Sequence, residues 1–255
     1  MRALITNDDG IDSRGVSELA GVAARAGLDV VVAAPHEERS GASASLGAMR
    51  KDGKVLFEER QLEKLDGVKA LAVEATPAFI TWAAVRGGFG PAPDVVLSGI
   101  NKGPNAGHAI LHSGTVGAAL TAHAHGLDAL AVSLNAADPQ HWESAVSMAE
   151  RTLAWLLASD RGDATVLNVN VPDIPLHELR GLKAAPLASF GAVQADIAEF
   201  GKGFVSMTFS EIDASREPKT DAGLGLAGWA TVTALKGPSE TSHPGLGNLV
   251  DEMVM

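Results

Sequence analysis

The chain has 255 residues, and its 31 acidic and 20 basic side chains give a formal net charge of −11. It has no cysteine, which excludes disulfides, thiolate metal sites and a cysteine nucleophile. The acidic balance argues against polymeric nucleic acid as a main partner, because binding to DNA or RNA depends on basic side chains that neutralise phosphates.

Short apolar runs alternate with segments of helical periodicity through the first two thirds of the chain. Apolar strands that alternate with helices are typical of a parallel sheet covered on both faces. We therefore predict an α/β fold with a doubly wound, Rossmann-like, mostly parallel sheet. The predicted strands cover residues 3–6, 28–34, 68–73, 94–97, 129–134 and 165–171, and the predicted helices cover residues 16–26, 78–85, 114–125 and 142–158.

The alternating pattern weakens after about residue 186. Residues 204–209 and 229–235 have strand character and are predicted to pair as a hairpin, and residues 248–255 are predicted to form a short terminal helix. We interpret the chain as a single domain, residues 1–255, with a core of about residues 1–185. The remainder is interpreted as a protruding hairpin and C-terminal arm that serves oligomer contacts.

The hydropathy of the chain predicts a cytoplasmic protein with no membrane partner. No segment approaches the ~18–20 consecutive apolar residues of a membrane span. The apolar run at the N-terminus is shorter than the ~7–15 residues of a signal-peptide core.

Two adjacent carboxylates, Asp8 and Asp9, follow the first predicted strand. Ligands in doubly wound sheets bind beyond the carboxyl ends of the strands. Neighbouring carboxylates repel each other, and a divalent cation would relieve the repulsion. Hard ions such as Mg²⁺, Mn²⁺ and Ca²⁺ prefer oxygen ligands of this kind. A capped turn before a helix is the alternative explanation.

Two further predicted loops carry polar groups at strand ends. Arg39, Ser40 and Gly41 offer a guanidinium, a hydroxyl and backbone amides after the second strand. Asn101 offers a side-chain oxygen and Lys102 a positive charge after the strand at 94–97. Each loop taken alone is also typical of an ordinary turn.

Ser113, Gly114 and Thr115 stand at the start of the predicted helix 114–125. Amides and hydroxyls at a helix start can bind an anion, and the helix dipole favours this. The same residues would serve as an N-cap, and the two roles are compatible. The chain has no standard Walker motif, and no G-x-G-x-x-G spacing follows the first strand, so neither a P-loop NTPase nor a dinucleotide-binding fold is indicated.

Taken in order, these four loops resemble the SurE family of stationary-phase survival phosphatases, which act on nucleoside monophosphates. The resemblance covers about residues 1–175. It implies metal-assisted hydrolysis of a phosphomonoester, with Asp8 or Asp9 handling the attacking water. It also implies a homodimer or homotetramer whose C-terminal hairpins are exchanged between subunits. The implied ligands of one divalent ion (Mg²⁺, Mn²⁺ or Ca²⁺) per subunit are Asp8, Asp9, Ser40 and Asn101. The implied phosphate-binding residues are Asn105, Ser113, Gly114, Thr115 and Gly41, with Arg39 and Lys102 as further contacts.

The chain departs from the family pattern in residues 12–15, 75–79 and 236–240. Segments of this kind shape substrate access and assembly in the family, so a phosphorylated secondary-metabolite intermediate is an alternative substrate to nucleoside 5′- or 3′-monophosphates. A haloacid-dehalogenase-like phosphatase is a second alternative, although it needs Asp-x-Asp after the first strand and here the carboxylates are adjacent. A non-catalytic module that binds a nucleotide or phosphometabolite is a third.

Overall fold

A nine-stranded sheet with helices on both faces forms the body of the molecule in the computed structural model. The structure describes residues 1–62, 65, 67–158, 162–189, 193–201, 204–211 and 214–240. The strands in these ranges are β1 (Arg2–Thr6), β2 (Asp29–Pro35), β3 (Arg50–Lys51), β4 (Lys54–Val55), β5 (Phe57–Arg60), β6 (Lys69–Val73), β7 (Val95–Lys102), β8 (Asp128–Leu134), β9 (Val166–Val171), β10 (Leu182–Ala184), β11 (Val193–Gly201), β12 (Phe204–Glu211) and β13 (Ala230–Leu235). The α-helices are α1 (Arg14–Arg25), α2 (Pro77–Val85), α3 (Gly114–His123), α4 (Trp142–Ala158) and α5 (Asp221–Leu226), and Gly107–His112 and Ala214–Arg216 form 3-10 helices.

The strand order of the main sheet is β10-β13-β9-β8-β7-β1-β2-β6-β5. The run from β9 to β6 is parallel throughout, whereas β5 and β13 pair antiparallel with β6 and β9. The chain moves outward from β1 through β2 and β6, and then returns to β7 on the other side of β1. This reversal creates a crevice beyond the carboxyl ends of β1 and β7, where ligands of doubly wound sheets bind. The predicted fold class is confirmed.

Two apolar layers separate the sheet from its helices. Ile5 belongs to the cluster that packs against α1 and α4, and its neighbour Leu4 belongs to the cluster that packs against α2 and α3. Adjacent residues of a strand point to opposite faces, so every buried central strand needs apolar side chains on both faces. This requirement explains why the predicted core strands are continuous apolar runs. Within the described ranges, the molecule has no helix with both the length and the apolar character needed to cross a membrane.

The start of α1 is fixed against the carboxyl end of the sheet. Ser13 caps the helix, since its hydroxyl accepts a hydrogen bond from the Val16 amide at 3.4 Å. The same hydroxyl accepts a 2.6 Å bond from the side-chain amide of Asn7. A Cβ atom on Gly15 would lie 1.9 Å from the carbonyl oxygen of Ile100. Only glycine therefore allows the first turn of α1 to approach the end of β7 this closely.

The segment 98–102, predicted as a loop, is part of strand β7. Its pairing with β8 shifts register between Ser98 and Asn101 and then resumes. The prediction of a loop was wrong, because an irregular strand can continue through glycine and polar residues while its backbone stays paired. Asn101 and Lys102 are consequently held by the sheet.

The predicted pairing of residues 204–209 with residues 229–235 is also wrong. Strand β12 pairs antiparallel with β11 in a separate two-stranded sheet. Strand β13 lies in the main sheet between β9 and β10. Apolar alternation predicts a strand but does not select its partner. The predicted helix at 248–255 lies outside the described residues, and the role of the hairpin in oligomer contacts stays a prediction.

Candidate active site

Four chain segments meet around Asp8 and Asp9 beyond the carboxyl end of β1. The Arg39 amide donates a 2.7 Å hydrogen bond to the backbone oxygen of Asp8, and the Lys102 amide donates a 3.1 Å bond to Oδ2 of Asp9. Thr115, in the first turn of α3, contacts the carboxyl group of Asp8. The loops that the sequence predicts to be neighbours are therefore brought together at the crevice.

Asp8 is buried, and each oxygen of its carboxyl group accepts a hydrogen bond from Thr115. The side chain is 4% exposed, its Oδ2 accepts from the Thr115 amide at 3.1 Å, and its Oδ1 accepts from the Thr115 hydroxyl. Burial raises the pKa of Asp8, and the hydrogen bonds from Thr115 act in the opposite direction. A Cβ atom on Gly114 would lie 2.8 Å from Oδ2 of Asp8. The helix start and the carboxyl group thus lie too close together for a side-chain carbon on residue 114.

Asp9 is partly buried beside Asp8. Burial raises the pKa of Asp9 to about 6, the hydrogen bond from the Lys102 amide opposes this shift, and the charge of Asp8 adds to it. A nearby cation would favour the ionised form of both carboxyl groups. The pair therefore has the electrostatic character of a cation site.

Asn101 and Ser40 are the predicted ligands that carry neutral oxygen atoms. Asn101 is 9% exposed, and its amide nitrogen donates to the carbonyl oxygens of Lys102 at 3.1 Å and Gly103 at 2.8 Å. These bonds leave its side-chain oxygen as the group available to a ligand. Ser40 is exposed, and its hydroxyl donates a 2.6 Å bond to Glu38 while its oxygen retains acceptor capacity.

This donor set fits a hard divalent ion and no soft one. Two carboxylates, one amide and one hydroxyl provide only oxygen ligands, which Mg²⁺, Mn²⁺ and Ca²⁺ prefer. Over the ranges that the structure describes, no group of three or more His, Asp or Glu side chains is placed to hold a metal. An ion in the crevice would therefore combine the carboxylates with neutral oxygens.

The start of α3 binds the carboxyl group of Asp8, a contact that the sequence analysis did not predict. The Ser113 hydroxyl caps the helix and accepts a 3.0 Å bond from the Val116 amide. Thr115 directs both its amide and its hydroxyl to Asp8. Ser113 therefore serves as the N-cap that the sequence analysis gave as its alternative role. Thr115 holds the carboxyl group of Asp8 in place. No local pattern in the sequence signals that contact, because the two residues are 107 positions apart.

Asn105 is anchored to β8 and β9 by side chains that the sequence analysis did not single out as functional. Its backbone amide donates to Oδ1 of Asn170 at 2.9 Å, and its side-chain amide donates to the Ser133 hydroxyl at 2.8 Å. Asn168 and Asn170 both donate to its carbonyl oxygen at 2.8 Å. The sequence could have indicated this contact, because Asn168 and Asn170 interrupt an apolar strand and buried polar groups need hydrogen-bond partners.

The two predicted positive charges belong to residues whose backbone amides contact Asp8 and Asp9. The Arg39 guanidinium pairs with Glu37 at 3.0 Å, and the side chain of Lys102 is exposed. Gly41 is exposed and has a φ of 78°, a conformation that favours glycine.

Known proteins are similar to this chain in both sequence and fold. The family model described as Survival protein SurE matches residues 3–192. The 5'-nucleotidase SurE of Stenotrophomonas maltophilia is 39% identical over 201 residues, which cover 78% of this chain and 74% of that protein. The 5'/3'-nucleotidase SurE of Edwardsiella ictaluri is 34% identical over 256 residues, which cover 98% and 95%. The crystal structure of the SurE protein from Aquifex aeolicus matches with a TM-score of 0.74 at 28% identity, covering 92% of this chain and 93% of that one. The chain therefore belongs to the SurE family.

Proposed function

We propose that this SurE-family chain is a phosphatase that hydrolyses phosphomonoesters, with nucleoside 5′- and 3′-monophosphates as its first candidate substrates. The observation that carries the proposal is the buried carboxylate pair, Asp8 and Asp9, at the point where the strand order reverses. The nucleotidase names of the relatives support the substrate class. Because the crevice holds negative charge, an anionic substrate needs a cation there.

We infer that Asp8, Asp9, Ser40 and Asn101 hold one divalent ion, which is Mg²⁺, Mn²⁺ or Ca²⁺. When bound, such an ion polarises phosphoryl oxygens and lowers the pKa of a coordinated water. Asp8 is the fixed ligand of the set, because both of its oxygens accept hydrogen bonds from Thr115. Asp9 accepts its described hydrogen bond at Oδ2, and we assign its Oδ1 to orient the attacking water.

The phosphate group is assigned to the floor and the rim of the crevice. Asn105, Ser113 and Gly114 are assigned to the floor, beside the Asp8 carboxyl group that accepts the hydrogen bonds of Thr115. The Gly41 amide, Arg39 and Lys102 form the rim and attract the anion as it enters. Thr115 acts on the reaction through Asp8, because both of its donors are engaged by that carboxyl group.

We also infer an assembly of two or four copies in the cytoplasm, with the β11–β12 hairpin at the contact between copies. This hairpin forms its own two-stranded sheet, separate from the main one. Light scattering on the full chain and on a variant lacking the hairpin tests the inference. If the variant keeps the same number of subunits as the full chain, the role of the hairpin is contradicted.

The experiment that tests the activity is metal-dependent phosphate release. Chelator-treated protein is reloaded with Mg²⁺, Mn²⁺ or Ca²⁺ and offered an aryl phosphate, a nucleotide panel and phosphorylated metabolites. We expect release only with metal, and Asp9→Asn should lower kcat/KM by about 10³-fold, because it removes a negative ligand and the water-orienting oxygen. Asp12→Asn is the matched control, because Asp12 is an exposed carboxyl in the same turn.

Each other outcome identifies a different function. Full activity in excess chelator would contradict the metal-dependent mechanism. Preferred turnover of a phosphorylated metabolite would replace nucleotides as the substrate class. Tight nucleotide binding without turnover under every metal would identify a binding module.

A further inference from the structure

A buried carboxyl group joins the C-terminal part of the chain to the loop that carries Asn105. Asp221, the first residue of α5, is 1% exposed. Its Oδ2 accepts a 2.9 Å bond from the Gly107 amide. Its Oδ1 accepts bonds from the amides of Ala188 at 2.9 Å and Ala222 at 2.8 Å. Three backbone donors from three chain segments therefore meet at one side chain.

We propose that Asp221 is a positioning residue, which fixes residues 103–112 so that Asn105 and the cap of α3 face the phosphate. The inference rests on the proposed phosphatase function for its catalytic consequence. The structural part, that Asp221 holds this loop, stands on the contacts alone.

Backbone hydrogen bonds surround Asp221 and define what it connects. Its own amide donates to the Pro186 carbonyl oxygen at 2.9 Å, and the His108 amide donates to the Ala188 carbonyl oxygen at 3.1 Å. The segment at 186–188, which precedes the β11–β12 hairpin, is thereby tied to the start of the 3-10 helix Gly107–His112. Asp221 lies at the centre of this connection and bonds both sides.

Among the contacts of this loop, those of Asn105 and Gly107 have different partners. Asn105 is bound by Asn168 and Asn170 on β9, and Gly107 is bound by Asp221. The 3-10 helix that begins at Gly107 leads directly to Ser113, the cap of α3. Loss of the Gly107 contact would remove a bond that holds the start of this short helix, two residues after Asn105. The bond from His108 to Ala188 and the bonds of Asn105 to β8 and β9 would remain.

A carboxyl group suits this position because each of its two oxygens accepts. In an Asp221→Asn variant, one oxygen becomes an NH₂ group, which cannot accept from a backbone amide. The orientation that keeps the oxygen on Ala188 and Ala222 retains two bonds and sets the NH₂ group against the Gly107 amide. The substitution should therefore break the contact with the loop and spare the other two.

The test compares Asp221→Asn with Asp173→Asn in the full-length protein. Asp173 is the matched control, because its carboxyl group also accepts backbone amides, those of Gln140 at 3.0 Å and His141 at 2.7 Å, in a different loop. Hydrogen exchange of residues 103–112 is followed by mass spectrometry in both variants. Kinetics with an aryl phosphate and Mn²⁺ give KM and kcat, and inorganic phosphate gives an inhibition constant.

We expect faster exchange in residues 103–112 for Asp221→Asn only. KM and the inhibition constant of phosphate should rise about tenfold, which corresponds to one lost hydrogen bond to a charged group, while kcat changes less than about threefold. Asp221→Glu, which keeps both oxygens but displaces them by one methylene, should give a smaller change in the same loop.

Three results would overturn the proposal. The first is wild-type exchange and wild-type KM in Asp221→Asn. The second is an equal rise in KM in Asp173→Asn. The third is failure of both Asp221 variants to fold, which would assign the residue to folding alone. If the wild-type protein releases no phosphate from any substrate, the proposed function fails, and the exchange data still decide whether Asp221 holds the loop.

Discussion

The two sides of the candidate metal site are built in opposite ways. On one side, Asp8 is 4% exposed and is bound at both oxygens by Thr115 in α3. On the other, Ser40 lies exposed on the loop after β2 and bonds Glu38, a neighbour two residues away. Packed elements fix geometry before a ligand arrives, whereas exposed loops have low local stability and adjust to it. The candidate site is thus rigid where β1 meets α3 and adaptable at the loop after β2.

The largest effect is expected where the rigid side is overpacked. In Gly114→Ala, the new methyl group would meet Oδ2 of Asp8 at 2.8 Å. Because neither a helix start nor a buried carboxylate can shift freely, we expect a loss of about 3 kcal/mol in the free energy of unfolding. Urea titration measures it. Gly21→Ala is the control, since its methyl group would meet only the flexible end of Arg25 at 3.1 Å, and it should be neutral or slightly stabilising. Equal stability of the two variants would show that the Asp8 side is not rigid.

An intermediate effect is expected from the protonation of Asp9. Its pKa is raised from the model-compound value of 3.8 to about 6, so the folded protein holds this proton more tightly than the unfolded chain. The resulting stabilisation is complete below about pH 4 and is lost as the pH rises through about 6. For a partly exposed group we expect about 2 kcal/mol.

Urea titrations in chelator from pH 4 to pH 7 measure this loss of stability. The free energy of unfolding of Asp9→Asn should not show the loss. Saturating Mg²⁺ or Mn²⁺ at pH 7 should restore about 2–3 kcal/mol to the wild-type protein at 100 times the dissociation constant. Parallel pH curves for the two proteins would contradict the assignment of the effect to Asp9.

The smallest effect on stability is expected on the adaptable side. Ser40→Ala removes an exposed hydroxyl, so the free energy of unfolding should change by less than about 0.5 kcal/mol. If Ser40 is a ligand, calorimetry should show metal affinity reduced by about tenfold. Ser45→Ala, another exposed serine of the same loop, should leave affinity unchanged. A loss of stability in Ser40→Ala as large as that in Gly114→Ala would remove the contrast between the two sides.

The sequence predicted the parallel strands well because burial on both faces demands continuous apolar runs. The polar residues at strand ends were predicted to lie near one edge of the sheet, because the carboxyl ends of parallel strands meet there. These residues are Asp8, Asp9, Asn101 and Ser40. It did not predict that Thr115 binds Asp8, because contacts between distant residues leave no local pattern. The pairing of β13 with β9 was missed for a related reason: alternation defines the faces of a strand and leaves its neighbour open.

The bond between Thr115 and Asp8 changes which charge the dipole of α3 compensates. A helix start in such a crevice usually neutralises a ligand's phosphate, but here the first turn is the counterion of an internal carboxylate. The protein thus carries its own anion where a phosphate would otherwise dock. Under the proposed function, charge neutralisation of the substrate would be left largely to the proposed cation and to Arg39 and Lys102. An engineer who wished to change the preferred anion would therefore alter the rim, because substitutions at the start of α3 would first disturb Asp8.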